Sequence, residues 1–312
     1  MEQLNQSQVS EFILLGLTSS RDIQFLLFVL FSVLYVVTVL GNFLIMVAVF
    51  YIPNLNTPMY FVLGNLSFMD MILASFVTPK VIVNLVKKHK TISFAECFTQ
   101  IFLLHLVGGV EMVLLVSMAY DRYVAICKPL HYMTFMNRKV CVLLVVTSWL
   151  SGLLHSGLQI PFVMNLPFCG PNIMDSIFCD LPLITKLACK DTYIGQIVIV
   201  ANSGMISLSC FIILLISYHL ILITIRSQSS TRRCKVHSAL TAHITVVFLF
   251  FGPCIFIYMW PFSNHSVDKF LAVFYTIITS ILNPIIYTLW NKEMKMSMKK
   301  LWSDFVSLRE DT

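Results

Sequence analysis

Seven stretches of this chain are long and apolar enough to cross a lipid bilayer, and no other feature limits its fold as strongly. They run over Phe25–Phe50, Met59–Val86, Phe98–Ile126, Val140–Val163, Tyr193–Ile225, Ser238–Trp260 and Phe270–Trp290, each reaching the ~20 residues that a helix needs to span the hydrocarbon. Inside a membrane a backbone must satisfy its own hydrogen bonds, so segments of this length are helices. The expected fold is therefore all-α, a seven-transmembrane helix bundle. With 58% of the 312 residues hydrophobic and 12% charged, little chain is left for a soluble domain. The expected division is a tail over 1–24, the bundle over 25–290 and a second tail over 291–312. In that second tail Met294, Met298, Leu301, Trp302 and Phe305 form an apolar stripe among lysines, the pattern of a short amphipathic helix lying in the interface.

An odd number of spans puts the termini on opposite sides, and the Lys/Arg bias assigns the cytoplasmic one. With the N-terminus outside, 13 of the 21 Lys and Arg lie on the cytoplasmic side and 8 on the outer side. The expectation is a multi-pass plasma-membrane protein with an extracellular N-terminus, whose outer cluster Lys87, Lys88 and Lys90 runs against the trend. The net charge of +6 is mostly juxtamembrane, which suits anionic inner-leaflet lipid and gives no reason to expect nucleic acid. The first 24 residues carry no apolar signal-peptide core, so the first span is expected to target the chain, and Asn5 heads a glycosylation tripeptide in the outer tail.

Nine cysteines sort by side of the membrane. Cys97, Cys169, Cys179 and Cys189 fall on the oxidising side, enough for two disulfides, and spacing leaves all three connectivities open. The other five are intramembrane or cytoplasmic. No zinc site emerges, because Cys234, His237 and His243 have no fourth ligand. Enzyme signatures such as His-Glu-x-x-His and Gly-x-Ser-x-Gly are absent, and catalysis is not expected. No internal inverted repeat is visible, which argues against a secondary transporter.

Ionisable residues within spans are functional candidates. Asp70 and Glu111 each sit 11 residues from the cytoplasmic reference points Met59 and Arg122, so at ~1.5 Å per residue both are about 16 Å deep. Two bare carboxylates cannot both stay ionised there; they share a proton or hold a cation. Further out, His105, Gly108, Gly109 and Met112 lie at i, i+3, i+4 and i+7 on one face of the third helix. Phe251, Cys254, Ile255 and Tyr258 repeat that spacing on the sixth, and Asn202, Ser203, Ile206 and Ser207 add polar groups on the fifth. Such faces either pack helices together or line a mostly apolar pocket for a small neutral molecule. The segment from about Leu166 to Thr192, with Asp175, Asp180 and Asp191, is the expected lid.

Specific strings now add a resemblance. The fifteen residues Met118–Tyr132, reading MAYDRYVAICKPLHY, are similar to the third-helix signature of vertebrate olfactory receptors, which are rhodopsin-like G-protein-coupled receptors. Leu55–Phe61 with Asp70, Gly41-Asn42, Ser217-Tyr218, Lys235 with Ser238 and His243, and Asn283-Pro284-Ile285-Ile286-Tyr287 resemble the family's marks on the other helices. Departures are Ser238-Ala239-Leu240 where Ser-Thr-Cys is usual, Trp290-Asn291 for Arg-Asn, and Phe251 for tyrosine.

The resemblance implies a receptor for small volatile odorants, coupled to the olfactory stimulatory heterotrimeric G protein that raises cyclic AMP, in the ciliary membrane of olfactory neurons. It implies coupling and switch roles for Asp121, Arg122, Tyr123, Tyr218, Asn283, Pro284 and Tyr287, with Arg122 held at rest by Asp121. It also implies the pairings Cys97–Cys179 and Cys169–Cys189, and a sodium ion at Asp70 and Glu111 near Asn283; no other cofactor is expected. A rhodopsin-like receptor for another small ligand and a transporter or channel are the competing readings.

Overall fold

The computed structural model describes residues 10–168, 172–188, 193–226, 230–260, 267–289, 294–296 and 299. Seven long helices carry the chain back and forth among these residues: α1 (Arg21–Tyr51), α2 (Pro58–Val86), α3 (Phe94–Cys127), α4 (Arg138–Met164), α5 (Tyr193–Arg226), α6 (Ser230–Met259) and α7 (267–289). Each overlaps its expected span. α1 begins at Arg21 and α6 at Ser230, earlier than hydropathy suggests, because helical hydrogen bonding continues past the apolar stretch. In α6 the apolar stretch proper is His243–Met259.

Burial sets the arrangement. Only 11% of the apolar window of α1 is buried, against 67% for α3. α1 is therefore peripheral and α3 is the axis, packed against α2, α4 and α5. Gly109 and Gly152 allow the α3–α4 contact: a Cβ on Gly109 would come within 2.9 Å of the Gly152 Cα, and one on Gly152 within 2.5 Å of the Leu106 carbonyl oxygen. Small residues at such a crossing let backbones approach where lipid supplies no hydrophobic drive. Asn42 Nδ2 donates to the Ser280 carbonyl at 3.0 Å and fastens α1 to α7.

α3 starts with a capping box. Ser93 Oγ accepts from the Glu96 backbone N–H and Glu96 Oε2 accepts from that of Ser93, both at 3.2 Å, an arrangement that stabilises a helix start by about 1 kcal/mol. Lys80 adds a 2.9 Å bond from α2 to the same carboxylate.

One element modifies the all-helical expectation. β1 (Glu11–Leu14) is the central strand of a small sheet, antiparallel to β2 (Thr91–Ser93) with Phe12 opposite Ile92, and parallel to β3 (Ile173–Met174) with Ile13 opposite Ile173. Phe12 and Leu14 are buried, and Phe12 packs on Phe94 and Phe168. The segment read as a plain tail thus staples the lid to the α2–α3 connection.

Two helices carry π-type turns, Val200–Gly204 in α5 and Phe274–Ile278 in α7. The expected Cys169–Cys189 pair, Asn5, the Tyr287 side chain and most of the amphipathic helix lie outside the described residues.

Candidate functional site

The disulfide Cys97–Cys179, Cα–Cα 5.4 Å, draws the lid onto the outer end of α3. The Cys179 N–H donates to Gln100 Oε1 at 3.2 Å, and the next residue, Asp180, is pushed into the bundle until it is 3% exposed. Two phenols meet it. Tyr275 donates to Oδ2 at 2.7 Å, and Tyr258 lies 3.1 and 3.2 Å from the two oxygens. His105 Nε2 stands 3.5 Å from Oδ1. On its other side His105 Nδ1 is 3.4 Å from His155 Nε2, and His155 Nδ1 is 3.2 Å from Asn202 Oδ1. A polar belt therefore runs from α5 through α4 and α3 to the lid, α6 and α7, with a gap at the 3.5 Å step from His105 Nε2, which makes no hydrogen bond.

Beneath this belt lies a small, partly open cavity of about 20 Å³, room for about one water. Leu73, Leu104, Gly108, Met112, Phe250 and Cys254 supply most of its wall, and His105, Glu111, His155, Ser203, Tyr258 and Tyr275 complete it. A Cβ built on Gly108 would meet nothing within 4 Å, so that face of α3 is open to the cavity.

Deeper, Asn283 Nδ2 donates to Asp70 Oδ2 at 2.8 Å. Asp70 Oδ1, Glu111 Oε1 and Asn283 Oδ1 are all buried without a hydrogen-bond partner. The two carboxyls are close enough to repel when both are charged. Such oxygens are the donor set of a hard cation.

At the cytoplasmic end, the Tyr132 hydroxyl donates to Asp121 Oδ1 at 2.8 Å. Burial, then the charge of Asp121, pushes the Tyr132 phenol above its ordinary value. Arg122 contacts the Met59 sulfur, and the Tyr218 hydroxyl is 2.7 Å from His243 Nδ1.

The family model described as "Olfactory receptor" matches residues 31–304 of the 312. This chain belongs to the olfactory receptor family. It is 81% identical over 312 residues to Olfactory receptor 4K17 of Homo sapiens, with both chains covered completely. To Olfactory receptor 4K15 of Homo sapiens it is 62% identical over 98% of this chain and 94% of that one, and to Olfactory receptor 4K3 of Homo sapiens 58% identical over 98% and 97%. Membership makes it a multi-pass G-protein-coupled receptor and not an enzyme.

In this receptor six of the twelve residues expected around a ligand line the cavity: His105, Gly108, Met112, Ser203, Cys254 and Tyr258. The other six do not. Gly109 is spent on the α3–α4 contact, and Asn202 on His155. Ser207 donates back to the Ser203 carbonyl at 2.6 Å. Ile206 is 37% exposed on the outside of the bundle, because the π-type turn just before it shifts the phase of α5. Phe251 is buried against Phe250 and Phe211, leaving Phe250 to form the wall, and Ile255 packs into the core.

The expected hold of Asp121 on Arg122 is not a direct ion pair in this structure: it is not among those of the described residues, and Asp121 is engaged by Tyr132, whose hydroxyl reaches it from the loop after α3. Tyr123 is half-buried against the core, and Pro284 packs where Gly41 leaves space, 3.2 Å from the position of a Cβ there. Asp180, His155 and Tyr275 were missed as site residues: an acid in a lid reads as solvated loop, and a lone histidine or tyrosine in a span reads as packing.

Proposed function

We propose that this receptor detects small, largely apolar odorants in the cavity beneath Asp180 and signals through the olfactory stimulatory G protein to raise cyclic AMP. The observation that carries the reading is the small cavity inside the bundle, apolar in most of its wall and edged by the orienting groups His105, Ser203, Tyr258 and Tyr275. Its small volume means that a ligand must spread the surrounding helices. Gly108 and the π-type turns of α5 and α7 are the yielding parts. A ligand that fits only the spread form shifts a preexisting equilibrium towards it. Arg122, freed from Met59, then faces the G protein.

The resting state is favoured by the carboxyl pair. Asp70, Glu111 and Asn283 would hold a sodium ion, which when bound neutralises the carboxylates and keeps α2, α3 and α7 together. The receptor sits in the plasma membrane of sensory cilia with its N-terminus outside. The second outer disulfide, Cys169–Cys189, is supported by the isolated antiparallel bridge of Phe168 with Ala188, one residue from each cysteine. The test is a cyclic AMP reporter screen against a broad odorant panel, repeated with Tyr258→Phe and Gly108→Ala. Agonists whose potency is unchanged in both variants would place the ligand elsewhere.

A further inference from the structure

Side chains that stand behind the cavity wall set the direction of the hydrogen bonds on it. On α5 the Asn202 amide is fixed from both ends: Nδ2 donates to the His155 carbonyl oxygen at 3.2 Å, which turns Oδ1 towards His155 Nδ1, also at 3.2 Å. An amide oxygen only accepts, so His155 carries its proton on Nδ1 and presents a lone pair at Nε2. That lone pair faces His105 Nδ1 at 3.4 Å. His105 therefore donates from Nδ1 and keeps its own lone pair at Nε2. This nitrogen is buried without a hydrogen-bond partner. Its 3.5 Å separation from Asp180 Oδ1 is that of two acceptors, since an imidazolium on a carboxylate would close to ~2.7–2.9 Å. The phenols do not supply the missing proton. Tyr275 and Tyr258 have one each, and both are directed at Asp180.

Ser203 is prepared in the opposite sense. Its Oγ accepts from Gln159 Nε2 at 2.6 Å, and Gln159 is buried on α4, outside the cavity lining. A helical serine commonly donates to the carbonyl four residues back, as Ser207 does to Ser203 at 2.6 Å and Ser209 to Met205 at 2.7 Å. Among the described residues Ser203, inside the π-type turn Val200–Gly204, makes no such bond. With Gln159 on its lone pair and its proton unspent, the hydroxyl is a donor on the cavity wall.

The wall thus offers one unspent proton, on Ser203, and two buried acceptors without a donor, His105 Nε2 and Glu111 Oε1. A hydrocarbon meets neither need, and a carbonyl meets only the first. A hydroxyl meets both, because it accepts and donates through one atom. Resting on the odorant reading of this cavity, we propose that it selects small aliphatic alcohols, whose oxygen accepts from Ser203 and whose O–H donates to His105 Nε2. Asn202 and Gln159 are the positioning residues that fix this polarity without touching the ligand.

The experiment is the cyclic AMP assay in cells expressing the full-length receptor at matched surface levels. Two matched sets of probes are used: cyclohexanol with cyclohexanone and cyclohexane, and hexanol with hexanal and hexane. Each alcohol is expected to be about tenfold more potent than its carbonyl counterpart, the worth of roughly one hydrogen bond, with the hydrocarbons weakest. His105→Phe should bring the alcohol-to-carbonyl ratio to about one. Asn202→Leu, which releases the His155 tautomer from outside the cavity, should narrow the same ratio at unchanged carbonyl potency. Gln159→Met should weaken alcohols and carbonyls alike, by about tenfold as Ser203→Ala does, and add nothing to it in the double variant. The proposal is overturned by alcohols that are inactive or no better than the carbonyls, or by a ratio that neither His105→Phe nor Asn202→Leu moves. A Gln159→Met receptor more sensitive than wild type also overturns it, because Ser203 would then be donating to the amide. Gly108→Leu separates this failure from failure of the odorant reading beneath it. By filling the cavity it should weaken every active probe; if it weakens none, the cavity is not the odorant site, and if it weakens all while the ratio stays fixed in the other variants, only the preference for alcohols falls.

Discussion

Replacing Tyr275 by phenylalanine tests whether Asp180 is a fixed roof of the cavity or an incidental visitor from a loop. The substitution removes one hydroxyl and keeps the ring, so the edge-to-face contact with Tyr258 survives. The lost bond is the shortest that Asp180 receives from a side chain, 2.7 Å. Interhelical hydrogen bonds in membrane proteins average ~0.6 kcal/mol and reach ~1.7. This one belongs at the upper end because its acceptor is a carboxyl 3% exposed. The full ~1–3 kcal/mol for an unsatisfied buried group does not apply, since Tyr258 still reaches Oδ2 at 3.2 Å. The expected loss is therefore ~1–1.5 kcal/mol, or roughly 2–6 °C in the melting temperature of the purified receptor. The same substitution made on an Asp180→Ala background should lower stability by no more than ~0.6 kcal/mol, because only the 3.2 Å bond to the Tyr258 hydroxyl remains to lose. Equal losses on both backgrounds, within the ~0.3–0.5 kcal/mol expected of independent sites, would refute the coupling and with it the fixed roof.

Cys97→Ser and Cys179→Ser should each abolish surface delivery, with the double variant no worse than either; normal surface immunostaining of a single variant would contradict this. Gly109→Ala should destabilise the receptor by about 1–3 kcal/mol through overpacking against α4, measurable as a lower melting temperature, whereas Gly108→Ala should fold normally and shift agonist potency. Arg122→Ala should eliminate agonist-driven cyclic AMP at matched surface expression, and a response near wild type would exclude Arg122 from coupling. Glu111→Gln should change basal signalling and remove any sodium dependence of agonist potency, titrated at constant ionic strength with a bulky organic cation; a wild-type potency indifferent to sodium would leave only a shared proton.

The helices were legible in the sequence because membrane spans declare themselves by length and hydropathy, and a backbone in lipid has few alternatives. The sheet was not. β1 is four residues long, and its alternation of buried Phe12 and Leu14 with exposed neighbours is too short a pattern to separate from a tail. The third-helix face gave three cavity residues of four. The miss, Gly109, has the same residue type and nearly the same angle as Gly108, and only the opposing Gly152 tells them apart. On α5, equal spacing failed because residues 200–204 form a π-type turn, and no sequence periodicity marks the phase shift. Asp180 was invisible as a site because its burial depends on a disulfide that drags the lid inward, a constraint between residues 82 positions apart.

α3 connects these pieces, and its geometry limits how a signal can travel. His105 and Arg122 are 17 residues apart, about 25 Å along the axis, too far for a ligand at one to touch the other. Glu111 lies between them and belongs to two systems at once. Its side chain lines the cavity, and its carboxyl shares the membrane interior with Asp70, which Asn283 holds from α7. A ligand that widens the cavity moves the wall that carries Glu111, and therefore changes the separation of the carboxyl pair. If the proposed cation or a shared proton stabilises the pair best at one separation, ligand and guest would oppose each other without contact. Coupling of this kind is reciprocal: whatever factor sodium imposes on agonist affinity, agonist must impose on sodium affinity. On the proposed reading, the polar belt above the cavity and the oxygen cluster below it would be the two ends of a single two-state element that spans α3.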